Sequence, residues 1–217
     1  MLQLPILFHK VLLFILGIRV SVKGSPSKQK PLLLFGNHSS YLDIIILGSI
    51  LPASFVAKSE IRSWFFFGFL AKLQNSIFIE RKNFRILQSL EKISSSILGK
   101  FVVIIFPEGT TNNGKKVLKF RTSLFKVFED DPTLALQNFS LCYTHINSMP
   151  LDNRLRPTVA WYGGMNMIKH LSSLLNISSI KAKLIFHPVS NSNGFNRKKL
   201  SEISRKEVVE GLNLLTK

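Results

Sequence analysis

His38 and Asp43 stand five residues apart in Asn37-His38-Ser39-Ser40-Tyr41-Leu42-Asp43, a combination able to carry acid–base chemistry on a hydroxyl. At about 100° per residue, one continuous helix would set the two side chains roughly 140° apart. They meet only if His38 precedes the helix. Ser39 and Ser40 are good N-caps, which puts Asp43 in the first turn, within reach of one imidazole nitrogen while the other faces a substrate. Such a pair works without a serine nucleophile. The aspartate fixes the tautomer and steadies the imidazolium formed when His38 takes a proton from an attacking hydroxyl. A second reading stays open, because Ser40-x-x-Asp43 also has the form of a capping box that satisfies helix amides and nothing else.

Phe106-Pro107-Glu108-Gly109-Thr110-Thr111 follows the apolar run Phe101–Ile105. A Pro-Glu-Gly turn at a strand end makes a site loop. Gly109 lets backbone amides approach a ligand, Thr110 adds a hydroxyl, and Glu108 binds a substrate hydroxyl or holds a neighbouring cation. The alternative is a plain Asn113-Gly114 turn with Glu108 in solvent. Ile77-Phe78-Ile79-Glu80-Arg81 ends a third run, where Arg81 either grips a phosphate with its fork or pairs with Glu80 at the surface for little energy. His9, His145, His170 and His187 are scattered and read as structural or surface groups. The sequence has no Gly-rich phosphate loop, serine elbow or zinc histidine cluster, and Cys142 lies in an apolar stretch and reads as core.

All three motifs follow β-type runs in a strand–helix rhythm, at the carboxyl ends where α/β sheets place their ligands. Strands are predicted at Leu32–Gly36, Ser54–Ala57, Ser76–Glu80, Phe101–Phe106, Gln137–Thr144 and Lys181–Pro188. Helices are predicted near Ser40–Ile50, Ser59–Leu73, Phe84–Gly99, Ser123–Glu129, Asn166–Leu175 and Arg197–Leu214, with Leu151–Pro157 a long surface loop. The expected fold is therefore α/β, a central mixed sheet flanked by helices. Residues 1–23 are set apart as an N-terminal apolar helix and residues 24–217 as one catalytic domain, entered through the linker Gly24–Lys30.

The run Leu2–Val20 is broken by Pro5, His9, Lys10 and Arg19, short of the uninterrupted ~20 apolar residues of a spanning helix. It reads as a helix lying in a membrane interface or packed on the domain. A signal peptide is not expected, since no basic segment precedes the run and no small-residue cleavage site follows it. Ser59–Leu70 is apolar nearly all round, so that helix is buried or faces lipid. At 46% hydrophobic and 19% charged residues, the 217-residue chain is no disordered protein. Its formal charge of +17 attracts polyanions. That basicity comes with 18 Phe, which cluster with aliphatic residues instead of interleaving with Lys and Arg, and with a positive mean hydropathy. A membrane surface, not nucleic acid, fits this composition.

The ordered set His38-x4-Asp43, Ile77-Phe78-Ile79-Glu80-Arg81 and Phe106-Pro107-Glu108-Gly109-Thr110 resembles the first three sequence blocks of the glycerolipid acyltransferase family, which includes the lysophosphatidic acid acyltransferases. The likeness covers Leu32–Lys126, and Lys58-Ser59-Glu60 is similar to the family's lysine-containing segment. Tyr143-Thr144 and Arg156–Gly163 resemble a bacterial branch that includes lyso-ornithine-lipid acyltransferases. The resemblance implies transfer of a fatty acyl group from an acyl carrier protein or coenzyme A thioester to a lysolipid hydroxyl, with no covalent acyl-enzyme, bound cofactor or metal. It implies work at the cytoplasmic face of a bacterial inner membrane.

Carried over by position, His38 is the general base, Asp43 orients it, Arg81 binds the acceptor headgroup, and Lys58, Glu108, Gly109 and Thr110 shape the acceptor site. Two positions depart from the pattern. Thr111 stands where many members have Arg, with Arg81, Lys115, Lys119 or Arg121 as replacements, and Asn138 stands where the fourth block centres on proline. The expected reaction makes phosphatidic acid from lysophosphatidic acid. Lyso-ornithine lipid is the alternative acceptor, and an inactive lipid-binding protein is the alternative of another class.

Overall fold

A computed structural model describes residues 3–58, 76–79, 102–131, 133–192 and 194–217. The predicted helices Ser59–Leu73 and Phe84–Gly99 and the headgroup candidate Arg81 lie outside these residues. Within them run β1 Ile18–Lys23, β2 Leu32–Gly36, β3 Ser54–Lys58, β4 Ile77–Ile79, β5 Val102–Ile105, β6 Ala135–Ile146, β7 Met149–Pro150 and β8 Ile180–Ser190. The helices are α1 Gln3–Ile15, α2 Leu42–Gly48, α3 Val127–Asp130, α4 Arg156–Val159, α5 Met167–Leu174 and α6 Arg197–Thr216.

The described strands form one mixed sheet in the order β1-β8-β6-β2-β5-β3-β4, with β7 on β6. β6 runs antiparallel to β7 and β8, and the other pairs are parallel. β2 sits between two parallel neighbours, which requires an apolar run covered on both faces. Leu32, Leu33, Leu34 and Phe35 are accordingly fully buried. Their side chains alternate. Leu32 and Leu34 join Leu42, Ile46 and Leu47 of α2 in one core, while Leu33 and Phe35 join Phe125, Phe128 and Leu212 in the other. The parallel register of Phe35 with Ile105 brings the segments after β2 and β5 out at the same end of the sheet. Those segments carry His38 and Glu108.

Two elements differ from the sequence reading. The apolar N-terminal run does not continue as a helix to Val20. α1 stops at Ile15, Gly17 turns the chain at φ +62°, and Ile18–Lys23 pairs along β8 as the sheet's edge strand. The predicted loop Leu151–Pro157 contains the start of α4. Asp152 accepts the Arg154, Leu155 and Arg156 amides and winds the turn, and a helix this short has no period to read. α5 and α6 start as the predicted helices do, each capped by an Asn, with Asn166 accepting the Lys169 amide and Asn196 that of Lys199. Among the described residues no helix is long and apolar enough to cross a membrane.

Candidate active site

At the end of β2, Asn37 is buried and its side chain pairs with β6, donating from Nδ2 to the Leu141 carbonyl at 2.8 Å and accepting the Leu141 amide at 2.9 Å. That clamp sets the direction in which His38 leaves the sheet. His38 precedes α2, as the meeting with Asp43 required, and its Nδ1 lies 2.8 Å from Asp43 Oδ2. The imidazole stacks on Phe106 with ring centroids 3.8 Å apart and planes 12° from parallel. The cap of α2 is Tyr41, without a side-chain capping bond, while Ser40 Oγ accepts the Leu42 amide.

Asp43 is completely buried, so its carboxyl oxygens need donors around them. Oδ2 accepts the amides of Ser39 and Ser40 at 2.8 and 3.1 Å besides facing His38, and Oδ1 accepts the Tyr143 hydroxyl at 2.5 Å. The dyad and the amide-binding reading of Asp43 are thus both present in one carboxylate. Burial and the adjacent Asp43 push the Tyr143 hydroxyl well above its ordinary range and keep it a donor. With Nδ1 committed to Asp43, Nε2 is the nitrogen left to take a substrate proton.

Glu108 is buried too, and its carboxylate serves the protein. Oε1 accepts the His38 amide at 2.9 Å, and Oε2 accepts Asn112 Nδ2 at 2.6 Å and the Leu118 amide at 2.9 Å. The Asn112 amide returns to the His38 carbonyl at 3.2 Å. Burial pushes Glu108 up, opposed by the Leu118 and His38 amides, the His38 charge and the Asn112 side chain. Gly109 holds φ +67° with the Arg121 guanidinium over it, where a Cβ would collide. Thr110 is exposed.

The structure therefore gathers His38, Asp43, Glu108, Gly109 and Thr110 at one end of the sheet. Lys58 closes β3, in register with Ile79. Asn138 faces elsewhere, donating to Glu207 of α6 at 2.6 Å, and so belongs to the sheet–helix seam. The sequence reading did not place Asn37, Phe106, Asn112 or Tyr143 in the site. Among the described residues no group of His, Cys, Asp and Glu is arranged to hold a metal.

A sequence-family model described as Acyltransferase matches residues 18–135, more than half the chain and all of the site except Tyr143. The chain belongs to the acyltransferase family. It is 36% identical to a lyso-ornithine lipid O-acyltransferase of Rhizobium meliloti, over 92% of this chain and 71% of that one. To a lyso-ornithine lipid O-acyltransferase of Brucella abortus it is 31% identical, over 95% and 80%. A 1-acyl-sn-glycerol-3-phosphate acyltransferase of Neisseria gonorrhoeae is 33% identical over 48% of this chain and 42% of its own. The crystal structure of the 1-acyl-sn-glycerophosphate (LPA) acyltransferase PlsC from Thermotoga maritima superposes with a TM-score of 0.73 at 20% identity, covering 99% of this chain and 79% of that one. The expected α/β architecture and the family resemblance both hold.

Tyr143 bonds Asp43, so in this acyltransferase it is expected to act on His38 through that carboxylate. A hydrogen bond to a charged group contributes about 1.5–3 kcal/mol. Tyr143→Phe is expected to lower kcat about tenfold or more. Without the phenol Asp43 loses one of its donors and holds the imidazole less firmly. Initial rates at varied acceptor should show kcat reduced with acceptor KM nearly unchanged, and an unchanged kcat would refute the role.

Proposed function

We propose that this acyltransferase transfers a fatty acyl group from an acyl carrier protein or coenzyme A thioester to the hydroxyl of a lyso-ornithine lipid. The observation that carries the acceptor is coverage. Relatives named for lyso-ornithine lipid align over 92% and 95% of this chain, against 48% for the Neisseria glycerol-3-phosphate relative. Thr111, in place of a phosphate-binding Arg, agrees with an acceptor that has no phosphate.

In this reading His38 Nε2 takes the acceptor's hydroxyl proton while Asp43 holds the other nitrogen. The oxygen attacks the thioester carbonyl. Collapse of the tetrahedral intermediate expels the thiolate, which recovers the proton from the imidazolium. The test supplies both thioester donors with lyso-ornithine lipid and lysophosphatidate side by side. Faster transfer to lyso-ornithine lipid is expected. Preference for lysophosphatidate overturns the acceptor, and no transfer to either leaves a lipid-binding protein.

We also propose that α1 seats the enzyme on a membrane. Leu4, Leu7, Val11 and Phe14 recur at helical spacing and are exposed, Phe14 by 86%, with the exposed Lys10 beside them. The opposite side, Leu13 and Leu16, packs into the core. Replacing Leu7 and Phe14 with Asp should reduce cosedimentation with anionic vesicles more than about tenfold, given about 1.5–3 kcal/mol for each large side chain withdrawn. Turnover of detergent-dispersed substrate should persist. Undiminished vesicle binding would remove α1 from the interface.

A further inference from the structure

We infer that Arg156 binds the acidic headgroup of the acceptor, supplying from α4 the cation that Thr111 does not. The inference rests on the reading above that the acceptor is a lysolipid. The residue is fixed at its backbone, its amide donating to the Asp152 carbonyl at 3.1 Å and its carbonyl accepting the Ala160 amide at 2.9 Å. The same segment is tied to the dyad, because the Trp161 amide donates to the carbonyl of Ser39, the residue after His38, at 2.8 Å.

From the other side comes the loop after Glu108, whose Asn112 amide holds the His38 carbonyl. At the tip of that loop, a Cβ on Gly114 would sit 3.3 Å from Ser39 Cβ and 3.7 Å from Arg156 Nη1. Arg156 therefore stands where the His38–Ser40 turn, the Asn112–Lys115 loop and α4 converge.

Its Nε is buried and has no hydrogen-bond acceptor among the described residues. No ion pair joins it to a carboxylate among the described residues. A desolvated guanidinium N–H without an acceptor is a standing cost that a bound oxyanion would relieve. The planar fork matches carboxylate and phosphate, and a phosphate or a carboxylate on the acceptor would present the same chemistry. Seating that group beside Ser39 would orient the acceptor relative to His38, one residue earlier.

The test compares parent, Arg156→Met and Arg156→Lys in the 217-residue chain. Acceptor and donor KM are measured separately on lyso-ornithine lipid and on lysophosphatidate, with acceptor affinity by calorimetry and Tm. Arg156→Met is expected to raise acceptor KM and Kd about tenfold or more, with donor KM unchanged and Tm no lower than the parent's, since the unpaired N–H has gone. Arg156→Lys keeps the charge but not the fork, so a rise of a few fold is expected, and this variant decides the matter if the Met variant fails to fold. Unchanged acceptor KM and Kd, or a rise confined to the donor, overturns the assignment. The parent's preference between the two acceptors judges the proposed function. The ratio of variant to parent on either acceptor judges Arg156.

Discussion

His38→Ala should lower kcat by about 10²–10⁴-fold, the range set by removal of a general base, and leave the fold standing. Its side chain is 16% exposed, stacks on Phe106 and bonds to Asp43, so truncation opens the surface beyond the end of β2 and not the core. What it leaves behind is Asp43 with the Ser39 and Ser40 amides and the Tyr143 hydroxyl still in place, a carboxylate that remains well supplied with donors. Tm should consequently shift by no more than a few degrees. Steady-state kinetics and a thermal melt on the same preparation check both halves. Full acyl transfer by the variant would exclude the mechanism.

The parts of this site that could be read from the sequence are those built by neighbours in the chain. Leu32–Phe35 and Val102–Ile105 announce buried parallel strands because nothing polar interrupts them, and the residues just after them are where such a sheet delivers side chains. The geometric condition on His38 and Asp43 was likewise local. Tyr143 reaches Asp43 across 100 residues of chain, by way of a strand pairing that places β6 beside β2, and no spacing rule announces such a contact. β1 is hidden in the sequence for a different reason. Its residues Ile18–Lys23 alternate as a strand should, but they follow the apolar α1 so closely that the two run together in hydropathy until Gly17 is seen to turn the chain. Glu108 was found by its motif, yet its partners, two amides and one side-chain amide, become visible only when the loop is folded back on His38.

That folding back changes what Glu108 is for, and Glu108→Gln separates the two possibilities. A residue that binds the substrate hydroxyl would, when altered, raise acceptor KM. A clamp would chiefly lower kcat, since it acts on where His38 sits. Gln keeps one acceptor for the His38 amide, but its NH₂ then confronts the Leu118 amide and Asn112 Nδ2, both donors. Asn112 has little freedom to turn over, because its Oδ1 already accepts the Gly114 amide at 2.7 Å. Each buried donor left without a partner costs about 1–3 kcal/mol, so a lower Tm is expected together with a looser His38 backbone. A misplacement of about 1 Å in a catalytic group costs about 10²-fold in rate. The expected result is therefore kcat down by about that factor with acceptor KM within a few fold of the parent's, read from initial rates at varied acceptor. The reverse pattern, a raised acceptor KM at nearly normal kcat and Tm, would return Glu108 to the substrate side of the site.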